Sequence, residues 1–270
     1  MFRFADNIYN QQTAKWLCLS SGLRHSRCMV IDRVNELARY AALLDEEFFD
    51  DPCPAAADEL FDQIYPPNVR ELSWQHWTPI SVVVEAAKLL VTGPHTRVLD
   101  IGCGSGKFCL VAATLTNASF TGIEQRGDLV AIARRTAFKH SLTNVDIIHR
   151  NVTDLSFARF DAFYLFNPFE ENLFPPQKID SSVPLSKGLY ERYTRYVADQ
   201  LGQRPIGTRV VTYAGSALEV PACYDCKERL FAGELKLWIK TRVCAPENEF
   251  FGSSAFTPDG RTEAQFGEIK

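Results

Sequence analysis

The sequence predicts an α/β protein with a doubly wound, mostly parallel seven-stranded sheet and an N-terminal helical extension. From Pro79 onward, amphipathic helices alternate with short apolar strands, a pattern that places helices on both faces of a parallel sheet. Upstream of that residue, apolar side chains recur at helical spacing without a strand pattern. We therefore expect a helical extension over residues 1–74, an α/β domain over 75–243 and a C-terminal tail over 244–270.

The extension contains two predicted helices. Between Ile31 and Phe49 apolar residues recur on one face, and prolines at positions 52 and 54 end the pattern. A shorter helix is predicted over 55–64, because Pro66 and Pro67 follow it directly.

The α/β domain is predicted from its alternating periodicity. Its last two strands are separated by Ala232 and Gly233, which predicts an antiparallel hairpin at the sheet edge. The predicted helices cover 80–91, 107–115, 128–140 and 185–201, and the predicted strands cover 97–101, 119–124, 145–149, 160–166, 208–213, 226–231 and 234–241.

The composition is that of an ordinary globular chain, with 46% hydrophobic and 23% charged residues among 270. The 29 basic and 33 acidic residues give a formal net charge of −4. A net basic field, which holds long nucleic acids by neutralising their phosphates, is therefore not expected.

Targeting signals and cysteine usage indicate a cytoplasmic protein without a membrane partner. No signal peptide pattern opens the chain, and no segment offers the ~20 apolar residues that cross a bilayer. Eight scattered cysteines in such a chain predict reduced thiols. Cys223 and Cys226 lack a second pair at zinc spacing, so no metal site is predicted.

The most informative motif is a glycine loop. An apolar strand ends in Asp100 and Ile101 and is followed by Gly102, a cysteine, Gly104, a serine and Gly106 before the next helix. Glycines at alternate positions let a backbone approach a ligand at the carboxyl edge of the sheet. A plain tight turn is the alternative for such a triplet. The spacing differs from the G-x-G-x-x-G that fits a dinucleotide pyrophosphate.

A second motif follows on the next strand. Glu124 ends that strand 20 residues after Gly104, where a carboxylate can accept hydrogen bonds from both hydroxyls of a ribose. Residues 98–107 followed by 120–124 resemble the class I S-adenosylmethionine-dependent methyltransferases, which have a Rossmann-like fold. The resemblance covers residues 75–243.

The resemblance implies a cofactor site for S-adenosylmethionine. Gly102, Cys103 and Gly104 would line its methionyl part, Glu124 would hold its ribose, and Asp100 lies just before this loop. The cofactor-binding residues that we predict are Thr78, Asp100, Gly102, Cys103, Gly104, Glu124, Asn151, Val152 and Asn167.

Two of these predicted contacts have structural alternatives. By position, Asn151 would accept a bond from the adenine amine and Val152 would offer its backbone N–H, but Asn151 could instead cap the turn that follows. Thr78 resembles the residue that touches the cofactor carboxylate in families that methylate amine nitrogens. It could equally be the N-cap of a helix that begins with Pro79.

The predicted catalytic motif is Asn167, Pro168 and Phe169, at the end of the fourth strand. It is similar to the Asn-Pro-Pro-Tyr/Phe motif of amine N-methyltransferases, with one proline missing. In that family the Asn oxygen and the next carbonyl accept the N–H bonds of the acceptor amine, which raises its nucleophilicity. Methyl transfer is a one-step displacement, so holding the nitrogen, the methyl carbon and the sulfur in line can supply most of the rate of transfer. Glu170 or Glu171 could take up a proton, or both could be solvated loop acids.

The sequence therefore predicts a methyltransferase that uses S-adenosylmethionine, with a nitrogen acceptor favoured. The acceptor could be a small molecule, a protein side chain or RNA, and the oligomeric state is unknown. The alternatives are a noncatalytic S-adenosylmethionine-binding or interaction protein, an O-methyltransferase of a small molecule, and an NAD-dependent enzyme, which the glycine spacing disfavours.

Overall fold

The computed structural model describes residues 54–244. The helix predicted between Ile31 and Phe49 lies outside these residues, as does the predicted tail apart from Cys244. No helix within 54–244 is long and apolar enough to cross a membrane.

The described residues form one seven-stranded sheet with the order β3-β2-β1-β4-β5-β7-β6. The first five strands are parallel, and β7 runs antiparallel to both β5 and β6. This confirms the predicted doubly wound, mostly parallel fold. The strands are β1 (Arg97–Ile101), β2 (Ser119–Glu124), β3 (Val145–His149), β4 (Ala162–Phe166), β5 (Arg209–Tyr213), β6 (Tyr224–Leu230) and β7 (Leu235–Lys240).

Helices cover both faces of the sheet. Two of them, each of four residues, were not predicted, because one helical turn is too short to show a periodicity. The α-helices are α1 (Pro54–Asp62), α2 (Pro67–Arg70), α3 (Ser73–His76), α4 (Ile80–Leu90), α5 (Lys107–Leu115), α6 (Gly127–Lys139) and α7 (Lys187–Gly202). The predicted border at residue 74 falls within α3.

The core has two parts, one on each face of the sheet. Alternation along β4 separates them, because Tyr164 packs into the cluster under α4, α5 and α6 whereas Phe163 and Leu165 pack into the cluster under α7. The two rings on opposite faces are both almost completely buried. The sheet edge that carries the strand ends is therefore held rigidly from both sides.

A buried ion cluster fastens α1 to the α/β domain. The Lys107 ammonium at the start of α5 contacts Asp58 at 2.6 Å and Asp62 at 2.9 Å, and donates to the Ser73 hydroxyl at 3.2 Å. Asp58 also accepts the backbone N–H of Ile80, the first residue of α4. The acid that caps α4 thus comes from α1, three helices earlier in the chain.

The cysteines differ from the prediction of reduced thiols. Cys223 and Cys244 form a disulfide, with their Cα atoms 5.0 Å apart. The β6–β7 hairpin brings them together, since Thr241 N–H donates to the Cys223 carbonyl. Spacing along the chain could not reveal this pairing. Within residues 54–244, the free cysteines are Cys103, Cys109 and Cys226.

Candidate cofactor and acceptor site

A cavity of about 500 Å³ lies at the carboxyl ends of the five parallel strands. Each of these strands contributes residues from its end or from the loop that follows, as expected for ligand sites of open α/β sheets. Of the predicted site residues, the cavity is lined by Gly102, Gly104, Glu124, Asn151, Val152, Asn167, Pro168 and Phe169. Thr78, Asp100 and Cys103 are not among its lining residues.

The glycine loop is shaped by two close contacts. Gly102 and Gly104 both have positive φ, and each is covered by a ring. A Cβ on Gly102 would lie 2.8 Å from the Pro168 Cβ, and one on Gly104 would lie 2.3 Å from the Trp77 ring. Any side chain at either position would displace its neighbour, so the loop needs glycine for packing as well as for its backbone conformation.

Glu124 faces the cavity from the end of β2 and is only 6% exposed. Its two oxygens accept the backbone N–H of Gly104 at 3.2 Å and of Arg126 at 2.8 Å. Burial raises the pKa of this carboxyl, while the bonds from Arg126 and Gly104 oppose the rise. The carboxylate is therefore fixed in orientation beside the glycine loop.

Asp100 lies beneath the loop instead of in the cavity. The Cys109 thiol donates to its carboxylate at 3.5 Å. Burial, with a smaller contribution from Glu124, raises the pKa of Asp100 to about 7. Cys103 is also buried, with its sulfur against the backbone of Gly122. These two predicted cofactor contacts therefore support the loop from below.

Asp100 should make stability fall as the pH rises. Its folded pKa of about 7 exceeds the ordinary value of 3.8, so the folded state holds an extra proton between these two values. We expect Asp100→Asn to match the wild type near pH 4 and to be more stable at pH 8, by roughly 1.4 kcal/mol for each unit of the shift. Urea denaturation at both pH values measures this. Asp146→Asn, at an exposed aspartate on β3, is the control, and an equal difference at the two pH values would contradict the prediction.

Asn151 caps the turn that follows β3. Its side-chain oxygen accepts the Thr153 N–H at 3.1 Å and the Thr153 hydroxyl at 2.9 Å. Its amide nitrogen donates to Gln125 and to the Tyr193 hydroxyl. Because both acceptor positions of the oxygen are occupied, the structure favours the capping alternative. Val152 remains on the cavity wall beside it.

Thr78 is buried and bonded away from the cavity. Its hydroxyl lies 3.0 Å from the Tyr164 hydroxyl on β4. Pro79 occupies the N-cap position of α4, and the Asp58 carboxylate accepts the first backbone N–H of the helix, that of Ile80. Neither alternative from the sequence fits this geometry, because the competing partners come from distant parts of the chain.

The Asn-Pro-Phe motif forms a tight turn over the glycine loop. Asn167 has a φ of 39°, and its carbonyl accepts the Glu170 N–H at 3.3 Å. The Pro168 carbonyl lies on the Gly102 side, 3.7 Å from the position of a Cβ on that residue. The Phe169 ring packs on Tyr193, with 5.4 Å between ring centroids. Left-handed backbone at a non-glycine residue is often found at functional sites.

Gly215 makes room for the Asn167 side chain. A Cβ on Gly215 would lie 1.8 Å from the Asn167 side-chain oxygen and 2.8 Å from its amide carbon. This glycine follows β5, the neighbour of β4 in the sheet. Sequence reasoning missed it, because only the pairing of these strands brings the two loops together.

Gly215→Ala should therefore displace Asn167 without emptying the cofactor site. We expect a fall in kcat of about tenfold or more, with affinity for S-adenosylhomocysteine within about threefold of wild type. Initial rates and calorimetry measure the two effects. Gly207→Ala is the matched control, because Gly207 also has a positive φ but a Cβ there meets nothing within 4 Å. Equal losses of kcat in both variants would show that backbone strain, and not displacement of Asn167, causes the effect.

Four further cavity residues, at positions 74–77, come from the segment before α4. Trp77 covers Gly104, and its indole N–H donates to the Val69 carbonyl at 3.0 Å. His76 lines the cavity, and burial together with the Arg126 charge lowers its pKa to about 4. Trp77 and His76 therefore lie against the site itself.

The two acids after the motif have different surroundings. Glu171 forms an ion pair with Arg126 at 2.7 Å. Glu170 lines the cavity, and burial raises its pKa. Glu234 also lines the cavity, and its charge acts on Tyr213. Within residues 54–244, no group of three or more acidic, histidine or cysteine side chains could hold a metal ion.

The fold and this cavity define a class I S-adenosylmethionine-dependent methyltransferase domain, as the sequence predicted. Residues 92–185 match the family model described as a methyltransferase domain. The match begins before β1 and ends after the Asn-Pro-Phe turn, so it includes both motifs of the site.

Curated relatives match over short stretches. The chain is 37% identical over 73 residues to the 23S rRNA (uracil(1939)-C(5))-methyltransferase RlmD of Pectobacterium carotovorum, covering 27% of this chain and 16% of that protein. It is 31% identical over 111 residues to the protein of the same name from Thiobacillus denitrificans, covering 41% and 24%. The chain thus spans less than a quarter of the length of these relatives.

An RNA methyltransferase from Salinibacter ruber in complex with S-adenosyl-L-homocysteine aligns with a TM-score of 0.47 at 20% identity, over 63% of this chain and 97% of that one. TrmN from Thermus thermophilus aligns with a TM-score of 0.45 at 15% identity, over 80% of each chain.

Proposed function

We propose that this protein transfers the methyl group of S-adenosylmethionine to a nitrogen atom of its acceptor. The observation that carries the proposal is the contact of Pro168 with Gly102. This contact joins the Asn-Pro-Phe turn after β4 to the glycine loop, so both motifs line one cavity.

The residues of this cavity fit the cofactor. Gly102 and Gly104 line the cavity where the methionyl part would lie, and the oriented Glu124 carboxylate suits two ribose hydroxyls. Val152 would offer its backbone to the adenine. When bound, S-adenosylmethionine supplies a methyl group on a cationic sulfur, which a positioned nucleophile can accept in one step.

The acceptor side supplies hydrogen-bond acceptors and a carboxylate. The Asn167 amide oxygen and the Pro168 carbonyl can accept the N–H bonds of an amine and direct its lone pair toward the methyl. Glu170 lies in the same cavity, and its raised pKa suits the uptake of a proton from the amine. An unperturbed lysine has a pKa near ~10.4, so an aliphatic acceptor requires this deprotonation.

An RNA base is a second candidate acceptor, because the curated relatives are named as rRNA methyltransferases. Their names specify uracil C5, a ring carbon that carries no N–H bond for the Asn167 and Pro168 oxygens to accept. The site therefore supports a nucleobase amine better than a ring carbon.

Calorimetric titration with S-adenosylhomocysteine tests the cofactor site. We expect binding by the wild type and a loss of about 100-fold for Glu124→Ala, because two charged hydrogen bonds to the ribose are removed. Glu85→Ala is the control, at a partly exposed acid on α4. Wild-type protein that does not bind at millimolar ligand would refute the proposal.

Transfer of a radiolabelled methyl group identifies the acceptor. Purified protein is incubated with labelled cofactor and with separate RNA, protein and small-molecule fractions of a cell extract. Label that resists mild base and is recovered as a methylated amine supports nitrogen. Base-labile label would indicate an ester, 5-methyluridine would indicate carbon, and binding without any transfer would favour the noncatalytic alternative.

A further inference from the structure

The Arg126 side chain is a buried cation on the cavity wall that the proposed reaction does not use. It follows β2 at the N-cap position of α6 and is only 5% exposed. Its guanidinium contacts three carboxylates, at 3.9 Å to Glu124, 2.7 Å to Glu171 and 3.2 Å to Asp180.

These carboxylates belong to two different parts of the site. Glu124 is on the cofactor side, and the backbone N–H of Arg126 itself fixes one of its oxygens at 2.8 Å. Glu171 and Asp180 lie in the acceptor segment, which we define as residues 167–186 between β4 and α7. One side chain therefore joins the ribose position to two points of that segment.

The acceptor segment is ordered around the same contacts. The Glu171 oxygen that meets Arg126 also accepts the Ile179 N–H at 3.1 Å. The Asp180 oxygen that meets Arg126 accepts the N–H and the hydroxyl of Ser182. Between the two anchors, residues 173–178 are exposed, including Lys178, whereas Asn172 is buried. Loss of the guanidinium would remove the ion pairs that connect both ends of this stretch to the cofactor side.

Stability alone does not account for this arrangement. A buried ion pair gains little over an apolar pair of similar size, because the desolvation of its charges is costly. Its value lies in orientation, since a planar guanidinium with several fixed donors holds carboxylates in defined positions. Because Arg126 lies on the wall of the cavity, the carboxylates that it orients are those beside the site.

We propose that Arg126 is a positioning residue that couples occupancy of the cofactor pocket to closure of the acceptor segment. The inference rests on the proposed function for the identity of the cofactor. Coupling of this kind is reciprocal, so a ligand that binds beside Glu124 should order the segment, and a loosened segment should weaken that ligand.

The test combines trypsin cleavage at Lys178 with calorimetry, using S-adenosylhomocysteine as the probe. In the wild type the probe should slow cleavage at Lys178. In Arg126→Met, cleavage should be about tenfold faster without the probe, protection should be lost, and the Kd should rise about tenfold. Arg126→Lys, which restores the charge without the fork geometry, should lie between them.

Arg134→Met is the control, because Arg134 is an exposed arginine on the same helix, α6, that donates to the Ile147 carbonyl and not to the acceptor segment. Cleavage at Arg229, an exposed residue of β6, reports general unfolding. The double variant Glu171→Gln with Asp180→Asn keeps Arg126 and loosens only the segment. It should also weaken the probe.

Three outcomes would overturn the inference. They are wild-type cleavage at Lys178 in Arg126→Met, unchanged probe affinity in the double variant, and equal acceleration at Lys178 and Arg229. If the wild type does not bind the probe at all, the proposed function fails. Cleavage at Lys178 without the probe still decides whether Arg126 orders the segment.

Discussion

Removal of the Asn167 side chain should lower kcat by about 10²–10³, the usual loss when a hydrogen-bonding group at a reacting centre is removed. Asn167→Gly is the suitable truncation, because glycine adopts the left-handed φ of 39° without strain. Affinity for S-adenosylhomocysteine should stay within about threefold, since the contact of Pro168 with Gly102 does not depend on this amide. Initial rates with saturating cofactor and calorimetry measure the two quantities.

Two further variants separate the effect of losing the Asn167 amide from the effect of backbone strain at this position. Asn167→Ala adds strain to the same truncation and should be at least as inactive as the glycine variant. Asn167→Asp keeps an acceptor oxygen and tolerates the backbone, so it should retain more activity than either truncation. A glycine variant with more than about a third of the wild-type kcat would contradict a role for this amide in transfer.

The strands and the glycine loop could be predicted because their signals are local. Strands β1, β2 and β3 begin and end where the periodicity predicted, since a buried parallel strand is a short apolar run between turn residues. Gly102 and Gly104 stand at a strand end, and any open α/β sheet brings such ends together at one edge. The cofactor side of the site follows from that edge.

Residues that depend on contacts between distant segments could not be predicted. Gly215 is needed only because β5 lies beside β4, and Arg126 acquires its partners only when residues 171 and 180 fold over the cavity. Asp100 was predicted as a cofactor contact, but it does not line the cavity. Alternation along β1 turns its side chain to the face of α5, where Cys109 meets it, although the motif alone suggested the ligand side.

Replacement of Lys107 should produce the largest loss of stability. Lys107→Met keeps the length of the side chain but leaves Asp58 and Asp62 without their cation in a buried site. Removal of one partner from such a cluster typically costs about 3–5 kcal/mol in the free energy of unfolding. Urea denaturation at pH 8 measures the loss. Lys88→Met, at the exposed pair with Glu85, should cost less than about 0.5 kcal/mol.

The pH dependence and a compensating variant identify the cause. Burial raises the pKa of Asp58 in the wild type, and without the lysine charge it should rise further. A folded state that binds the extra proton gains stability as the pH falls, so the loss in Lys107→Met should shrink between pH 8 and pH 5. Adding Asp58→Asn and Asp62→Asn removes the unpaired charges while position 58 keeps an acceptor for the Ile80 N–H. This triple variant should recover part of the stability, and no recovery would show that the ammonium itself, through Ser73 and the Phe61 ring, holds α1 against the glycine-loop helix.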